Sequence, residues 1–209
     1  MYQAVIFDID GTLLNSDQAI LLTLQQVMLE ETGNEYSLDK LTSVLGMTSI
    51  KSLAKLGVPD VERAHAKVLQ YFRQYHHLMT LYSGIEKMLE QLKKNNIHMG
   101  IVTSKTRKEF KADFMQYGIS EFFPYVVCAD DTSKHKPEPD PLLKYVELTG
   151  VNPAKSIYIG DTVYDQKCAN AAKIDFALAM WGAKHPLNTV AEYYLYRPDE
   201  ILRIVHAAH

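Results

Sequence analysis

Two aspartates stand two residues apart in Asp8-Ile9-Asp10-Gly11-Thr12, directly after the apolar run Ala4–Phe7. Carboxylates crowded at the end of a buried strand are costly to ionise unless a cation compensates them. A hard divalent ion such as Mg2+ takes oxygen ligands and meets that need. Gly11 permits the sharp turn and close backbone approach the arrangement requires. A calcium loop is disfavoured, because the carboxylate at its fifth position and its later glutamate are missing; a solvated turn is the plain alternative. A second acidic pair stands in Gly160-Asp161-Thr162-Val163-Tyr164-Asp165, after the apolar run Ser156–Ile159. Four residues apart in a loop entering a helix, these acids can face one cavity, or serve as a helix cap and a helix-face acid. Thr103-Ser104-Lys105 closes the run His98–Val102. Its hydroxyl and backbone N–H groups can donate to phosphate oxygens, or cap the next helix. Lys136 sits in Lys134-His135-Lys136-Pro137-Glu138-Pro139-Asp140-Pro141, where prolines fix the backbone and aim the ammonium at a fixed target. There it can balance carboxylates and phosphate, unless it is an ordinary solvated lysine.

The elements that must position these groups follow from apolar patterning. Ala4–Phe7, His98–Val102, Tyr125–Ala129, Ser156–Ile159 and Phe176–Met180 are apolar at successive positions, as strands buried on both faces are. Helical patterns lie between the later ones. Ser83 with Glu86 predicts a capping box, as does Thr106 with Glu109, the latter helix ending at Gly118. Asp140–Pro141 predicts an N-cap followed by proline, and Gly150 ends that helix. Alternating strands and helices give an α/β fold, a parallel sheet covered on both faces. In such a sheet, loops at the carboxyl ends of adjacent strands form one crevice. That places Asp8, Asp10, Thr103, Lys136, Asp161 and Asp165 together, four carboxylates that repel strongly without a cation and a lysine.

The stretch from about Asp17 to Thr80 shows no strand. Leu21, Leu24, Val27 and Met28 recur at helical spacing up to Gly33, and further helices are expected after Ser37, after Thr48–Ser49 and from Asp60. These helices read as a small bundle inserted after the first strand, hinged near Leu13–Asp17 and Thr80–Gly84 and acting as a mobile lid. The expected division is a discontinuous core, residues 1–15 and 82–209, and a helical cap, residues 16–81.

Composition narrows the function classes. Lys plus Arg number 22 and Asp plus Glu 25, a net charge of −3 in 209 residues, with 47 % hydrophobic residues. This is a globular composition, and its weak acidity provides no global field for nucleic acid or an anionic membrane. An anionic substrate must be held by local charges and a cation. Cys128 and Cys168 read as buried thiols. The amino terminus lacks a basic segment followed by a long apolar run, and no stretch approaches the roughly 20 apolar residues of a membrane helix, so the cytoplasm is the expected compartment.

The order and content of these pieces resemble the haloacid dehalogenase superfamily: FDIDGTLL for its first motif, IVTSK for the second, KPEPDP for the third and IGDTVYD for the fourth. The resemblance covers the whole chain, including a helical insertion similar to the family's C1 cap, and is nearest to the phosphoglycolate phosphatase branch. It implies a three-layer Rossmann-like core and a Mg2+-dependent phosphatase acting on a small phosphomonoester, phosphoglycolate-like, through an aspartyl phosphate. Asp8 is then the nucleophile and Asp10 the general acid and base, with its backbone carbonyl on the metal. Asp161 ligates Mg2+, with Asp165 directly beside or behind it. Thr103 and the N–H groups near Ile9, Asp10 and Ser104 hold phosphate, and Lys136 neutralises Asp8 and the phosphoryl group. Gly46-Met47-Thr48 lies where the family places a specificity loop, so Gly46, Thr48 and Lys51 are expected near the organic half of the ester. Relatives of the same fold leave open a β-phosphoglucomutase-like phosphomutase or an inorganic pyrophosphatase. A non-catalytic phospho-ligand sensor is the alternative of another class. The expected partner is a small phosphorylated metabolite, with the chain a monomer or homodimer and neither nucleic acid nor membrane engaged.

Overall fold

The computed structural model describes residues 1–206. Its strands are β1 (Ala4–Phe7), β2 (Leu14–Asn15), β3 (Thr80–Leu81), β4 (His98–Val102), β5 (Tyr125–Val127), β6 (Ser156–Gly160), β7 (Asp175–Ala179) and β8 (Tyr193–Leu195). Its α-helices are α1 (Asp17–Thr32), α2 (Leu38–Leu41), α3 (Ser49–Lys55), α4 (Val61–Phe72), α5 (Ile85–Lys94), α6 (Arg107–Phe114), α7 (Asp140–Thr149), α8 (Val163–Ala172) and α9 (Ile201–His206). Six strands form one sheet in the order β5-β4-β1-β6-β7-β8, with every pairing parallel.

Alternation along the strands divides the sheet's apolar side chains between two faces. Val5, Phe7, Ile101 and Ile159 pack with Met88 and Leu89 of α5, Phe110 and Phe114 of α6, and Ile201 of α9. Ile6, Val102, Tyr158 and Phe176 pack on the other face with Leu142 and Tyr145 of α7 and Cys168 and Ala169 of α8. The result is three layers, with β1 wholly buried. Both cysteines are free and buried, and burial pushes the Cys128 thiol up to about 12, which makes it a poor nucleophile at neutral pH. Among the described residues no helix is long and apolar enough to cross a membrane.

The strand order reverses at β1, which pairs with β4 on one side and β6 on the other. Phe7 is level with both Ile101 and Ile159. The chain therefore leaves the sheet at Asp8, Thr103 and Asp161 at nearly one height, around the switch point where such sheets bind ligands.

The helices α1 to α4 have an apolar cluster of their own, built on Leu24, Val27, Met28, Leu41, Leu53 and Ala64. The chain enters this helical group through β2 and leaves it through β3. These two strands pair antiparallel, Leu14 against Leu81 and Asn15 against Thr80, which ties the two crossings together.

The helix termini hold two corrections. Thr106 and Glu109 form the expected capping box, and Gly118 and Gly150 take the left-handed conformation at helix ends. Ser83 does not cap α5. Gly84, at φ +90°, occupies that position, which places the Ser83 side chain one residue too early. The helix α7 also begins one residue earlier than expected, with Pro139 before it and Asp140 as its first residue.

Candidate active site

The acids at the ends of β1 and β6 converge. Asp8, Asp161 and Asp165 are buried, and each offers a carboxylate oxygen within 4.8 Å of the others'. Gly11 makes this possible. At φ +76° it holds a left-handed turn, and a Cβ there would lie 2.2 Å from Asp161 Oδ2. The loop is held from behind by Trp181, whose Nε1 donates to the Thr12 carbonyl at 2.9 Å.

Asp165 serves as both helix cap and site acid. Its Oδ2 accepts from the Thr162 amide at 3.1 Å and the Thr162 hydroxyl at 2.5 Å, closing a capping box on α8. Its Oδ1 faces the site, 2.7 Å from Lys136 Nζ and 3.1 Å from the Tyr158 hydroxyl. Lys136, 1 % exposed, also lies 2.9 Å from Asp8 Oδ2 and donates to Tyr158 at 3.0 Å. One buried ammonium thus bridges the end of β1 to the start of α8.

The electrostatics follow from burial and crowding. Burial pushes the Asp8 carboxyl up to about 7; Lys136 opposes that shift, while Asp165 and Asp10 add to it. Burial, then Asp165, Asp17 and Asp8, hold Asp161 well above the usual carboxylate range. Burial disfavours the charge on Lys136, but Asp165 and Asp8 outweigh it and hold the ammonium's pKa above the ordinary lysine value. Asp161 has the Thr12 hydroxyl at 3.3 Å and, among the described residues, no cationic side chain paired with it. A buried carboxylate without a cation, beside two others and with oxygen as the only donor atom type, fits a hard divalent ion such as Mg2+.

The same loops carry hydrogen-bond donors. The N–H groups of Ile9, Asp10 and Ser104 take no acceptor among the described residues. The Thr103 oxygen accepts from the Lys105 amide at 3.2 Å, which leaves its own proton to donate. These groups can hold phosphate oxygens beside Asp8. The Ser104 hydroxyl is used elsewhere, donating to the Gly46 carbonyl at 2.8 Å and fastening the helical group to the sheet.

Three contributors were not picked out by sequence reasoning. Asp10 Oδ1 accepts from Ser16 at 2.6 Å, and Asp10 Oδ2 lies 3.3 Å from Lys105 Nζ. Tyr158, inside β6, reaches the Lys136–Asp165 pair. Lys105 belongs to the IVTSK run, where position alone marked it; Ser16 and Tyr158 carry no comparable signal.

Beside Asp8 and Asp10 opens a cleft of about 120 Å³ between the sheet's loops and α1, α3 and α4. Gly46 lines it, with Met47 and Ser49. Thr48 and Lys51, expected near the ester's organic half, do not. The Thr48 oxygen accepts from the Lys51 amide as the cap of α3, and the Lys51 charge is felt at His135.

Comparison with known proteins identifies the family. The sequence model of the haloacid dehalogenase-like hydrolase family matches residues 5–179. A pyrophosphatase PpaX of Bacillus cereus is 28 % identical, with 95 % of this chain and 90 % of the relative covered. A phosphoglycolate phosphatase of Aquifex aeolicus is 27 % identical, with 97 % and 96 % covered. A solved Lactobacillus plantarum protein, provisionally named phosphoglycolate phosphatase, superposes with a TM-score of 0.89 at 32 % identity, covering 98 % of this chain and 99 % of its own.

Proposed function

The chain belongs to the haloacid dehalogenase-like hydrolase family and is a phosphatase-type hydrolase, and on that premise we propose that it hydrolyses a small phosphomonoester, with Mg2+, by way of a phosphoryl group carried on Asp8. The observation that supports this most is the bridge from Asp8 through Lys136 to Asp165, with Asp161 within reach of the same point.

Asp8, Asp161 and Asp165, with the Asp10 carbonyl, would hold Mg2+; bound there, the ion supplies positive charge against the carboxylates and the phosphoryl oxygens. The Asp8 carboxylate attacks phosphorus, and the bond from phosphorus to the alcohol oxygen breaks. Asp10 gives the departing oxygen its proton. The now ionised Asp10 takes a proton from water, which attacks the aspartyl phosphate. The phosphorus–carboxylate bond breaks, freeing phosphate and restoring Asp8. Lys136 and the amides of Ile9, Asp10 and Ser104 balance charge on the transferring group throughout. Ser16 and Lys105 hold the Asp10 carboxylate next to the path of the leaving group.

The names of the relatives make phosphoglycolate and pyrophosphate the first compounds to test. Hydrolysis of p-nitrophenyl phosphate, followed with Mg2+ and with EDTA, tests the reading itself. Steady, Mg2+-dependent phosphate release without an added sugar bisphosphate is expected, and the last condition separates a hydrolase from a mutase. Mg2+ binding with no turnover from acid to alkaline pH would instead favour a phospho-ligand sensor.

A further inference from the structure

We propose that the cleft beside Asp8 and Asp10 selects phosphate esters of apolar alcohols, alkyl or aryl, over substrates bearing a second anionic group. This rests on the phosphatase reading above, and it concerns the half of the substrate that leaves.

The cleft runs directly from Asp8 and Asp10 into the helical group, so the alcohol half of a bound ester projects into it. Its walls there are Leu24, Val44, Met47, Val68, Leu69 and Phe72. Four hydroxyl residues line the cleft, and each is already engaged. Ser104 donates to the Gly46 carbonyl at 2.8 Å. Thr23 donates to the Ala19 carbonyl at 2.7 Å, Ser52 donates to the Val44 carbonyl at 3.2 Å, and Ser49 lies 2.6 Å from His65 Nδ1. The buried ammonium on the wall, Lys105, is likewise committed. Its Nζ stands 2.8 Å from Asp113 Oδ2, 3.3 Å from Asp10 Oδ2 and 4.7 Å from the centre of the Phe72 ring.

An anionic group seated against these apolar walls loses its water, while their hydroxyls are already bonded and the Lys105 charge is already balanced by two carboxylates, which makes its transfer unfavourable. Arg73 and Lys108 lie at the exposed mouth, where water screens their charge. Apolar groups meet no such obstacle, and each buried methylene strengthens binding by about fourfold.

The test is kcat/KM with Mg2+ for methyl, ethyl and butyl phosphate, whose alcohols leave with similar ease, beside phosphoglycolate and pyrophosphate. Ethyl phosphate and phosphoglycolate differ by a methyl group in place of a carboxylate. We expect kcat/KM to rise by about fourfold per methylene and ethyl phosphate to lead phosphoglycolate by about tenfold or more. The half-buried Leu69 locates the effect. Leu69→Asn should flatten the rise with chain length, and Leu69→Arg should move the ethyl phosphate to phosphoglycolate ratio toward phosphoglycolate. A flat alkyl series, phosphoglycolate or pyrophosphate as the best substrate, or an unaltered series in Leu69→Asn would each overturn the inference while the phosphatase reading stands. No hydrolysis of any of these esters would overturn both.

Discussion

Replacing Lys136 by methionine removes one charge from the centre of the site while keeping most of the side chain's volume. In the native protein that ammonium is 1 % exposed and lies 2.9 Å from Asp8 and 2.7 Å from Asp165. Taking one partner from a buried ion pair leaves uncompensated charge and costs about 3–5 kcal/mol. For a chain of this length each kcal/mol lowers Tm by about 2–4 °C, so Lys136→Met should melt roughly 6–20 °C below the parent in EDTA. Mg2+ should restore part of the loss, because the ion supplies charge to the same carboxylates, and its stabilising effect should exceed that on the parent. The assay is thermal unfolding followed by circular dichroism, each protein with EDTA and with Mg2+. Vanadate binding by the folded variant should be weaker, since the group that faces the phosphoryl oxygens is gone. A Tm within the parent's error in EDTA, or unchanged vanadate affinity, would refute the claim that Lys136 neutralises this cluster.

Three further outcomes follow from the same geometry. Burial raises the Asp8 carboxyl to about 7 in the folded chain, so its contribution is most favourable below the ordinary carboxylate pKa and is lost as pH rises toward 7. In EDTA the stability gained by Asp8→Asn, read from urea midpoints, should therefore grow over that interval; a gain independent of pH would contradict this. Asp10→Asn should lower turnover far more than Mg2+ affinity, because the proton-transferring carboxyl is lost while the carbonyl remains; isothermal titration alongside kcat compares them, and equal losses would remove Asp10 from its role. Gly11→Ala places a Cβ 2.2 Å from Asp161 Oδ2 in a backbone of φ +76°, so its Mg2+ affinity should fall, and normal affinity would show that Asp161 does not need this close approach.

Five of the sheet's six strands were readable from the sequence, because strands buried on both faces must be apolar at consecutive positions; the edge strand β8, three residues long and only partly buried, carries no such run. The acids, Thr103 and Lys136 could be placed in one crevice because a parallel sheet carries its loops to one end. What the sequence hid was set by long-range packing. The strands β2 and β3 have two residues each, too few for any periodicity. Ser83 looks like a helix cap in isolation, yet the left-handed Gly84 takes that place. The engagement of Asp165 by both Thr162 and Lys136 joins a local motif to a residue 29 positions away. Likewise Thr48 and Lys51 suit a substrate loop by position, but helix capping turns Thr48 to the backbone.

Asp8 is expected to receive the phosphoryl group in a site completed by a cation shared with Asp161. The most direct measurement is peptide mass spectrometry of enzyme quenched in acid during turnover, with Mg2+ and with EDTA. One phosphoryl group is expected on the peptide containing Asp8, present with Mg2+, absent with EDTA and absent in Asp8→Asn. A phosphoryl group on any other residue, or label on Asp8 that forms equally well in EDTA, would contradict it.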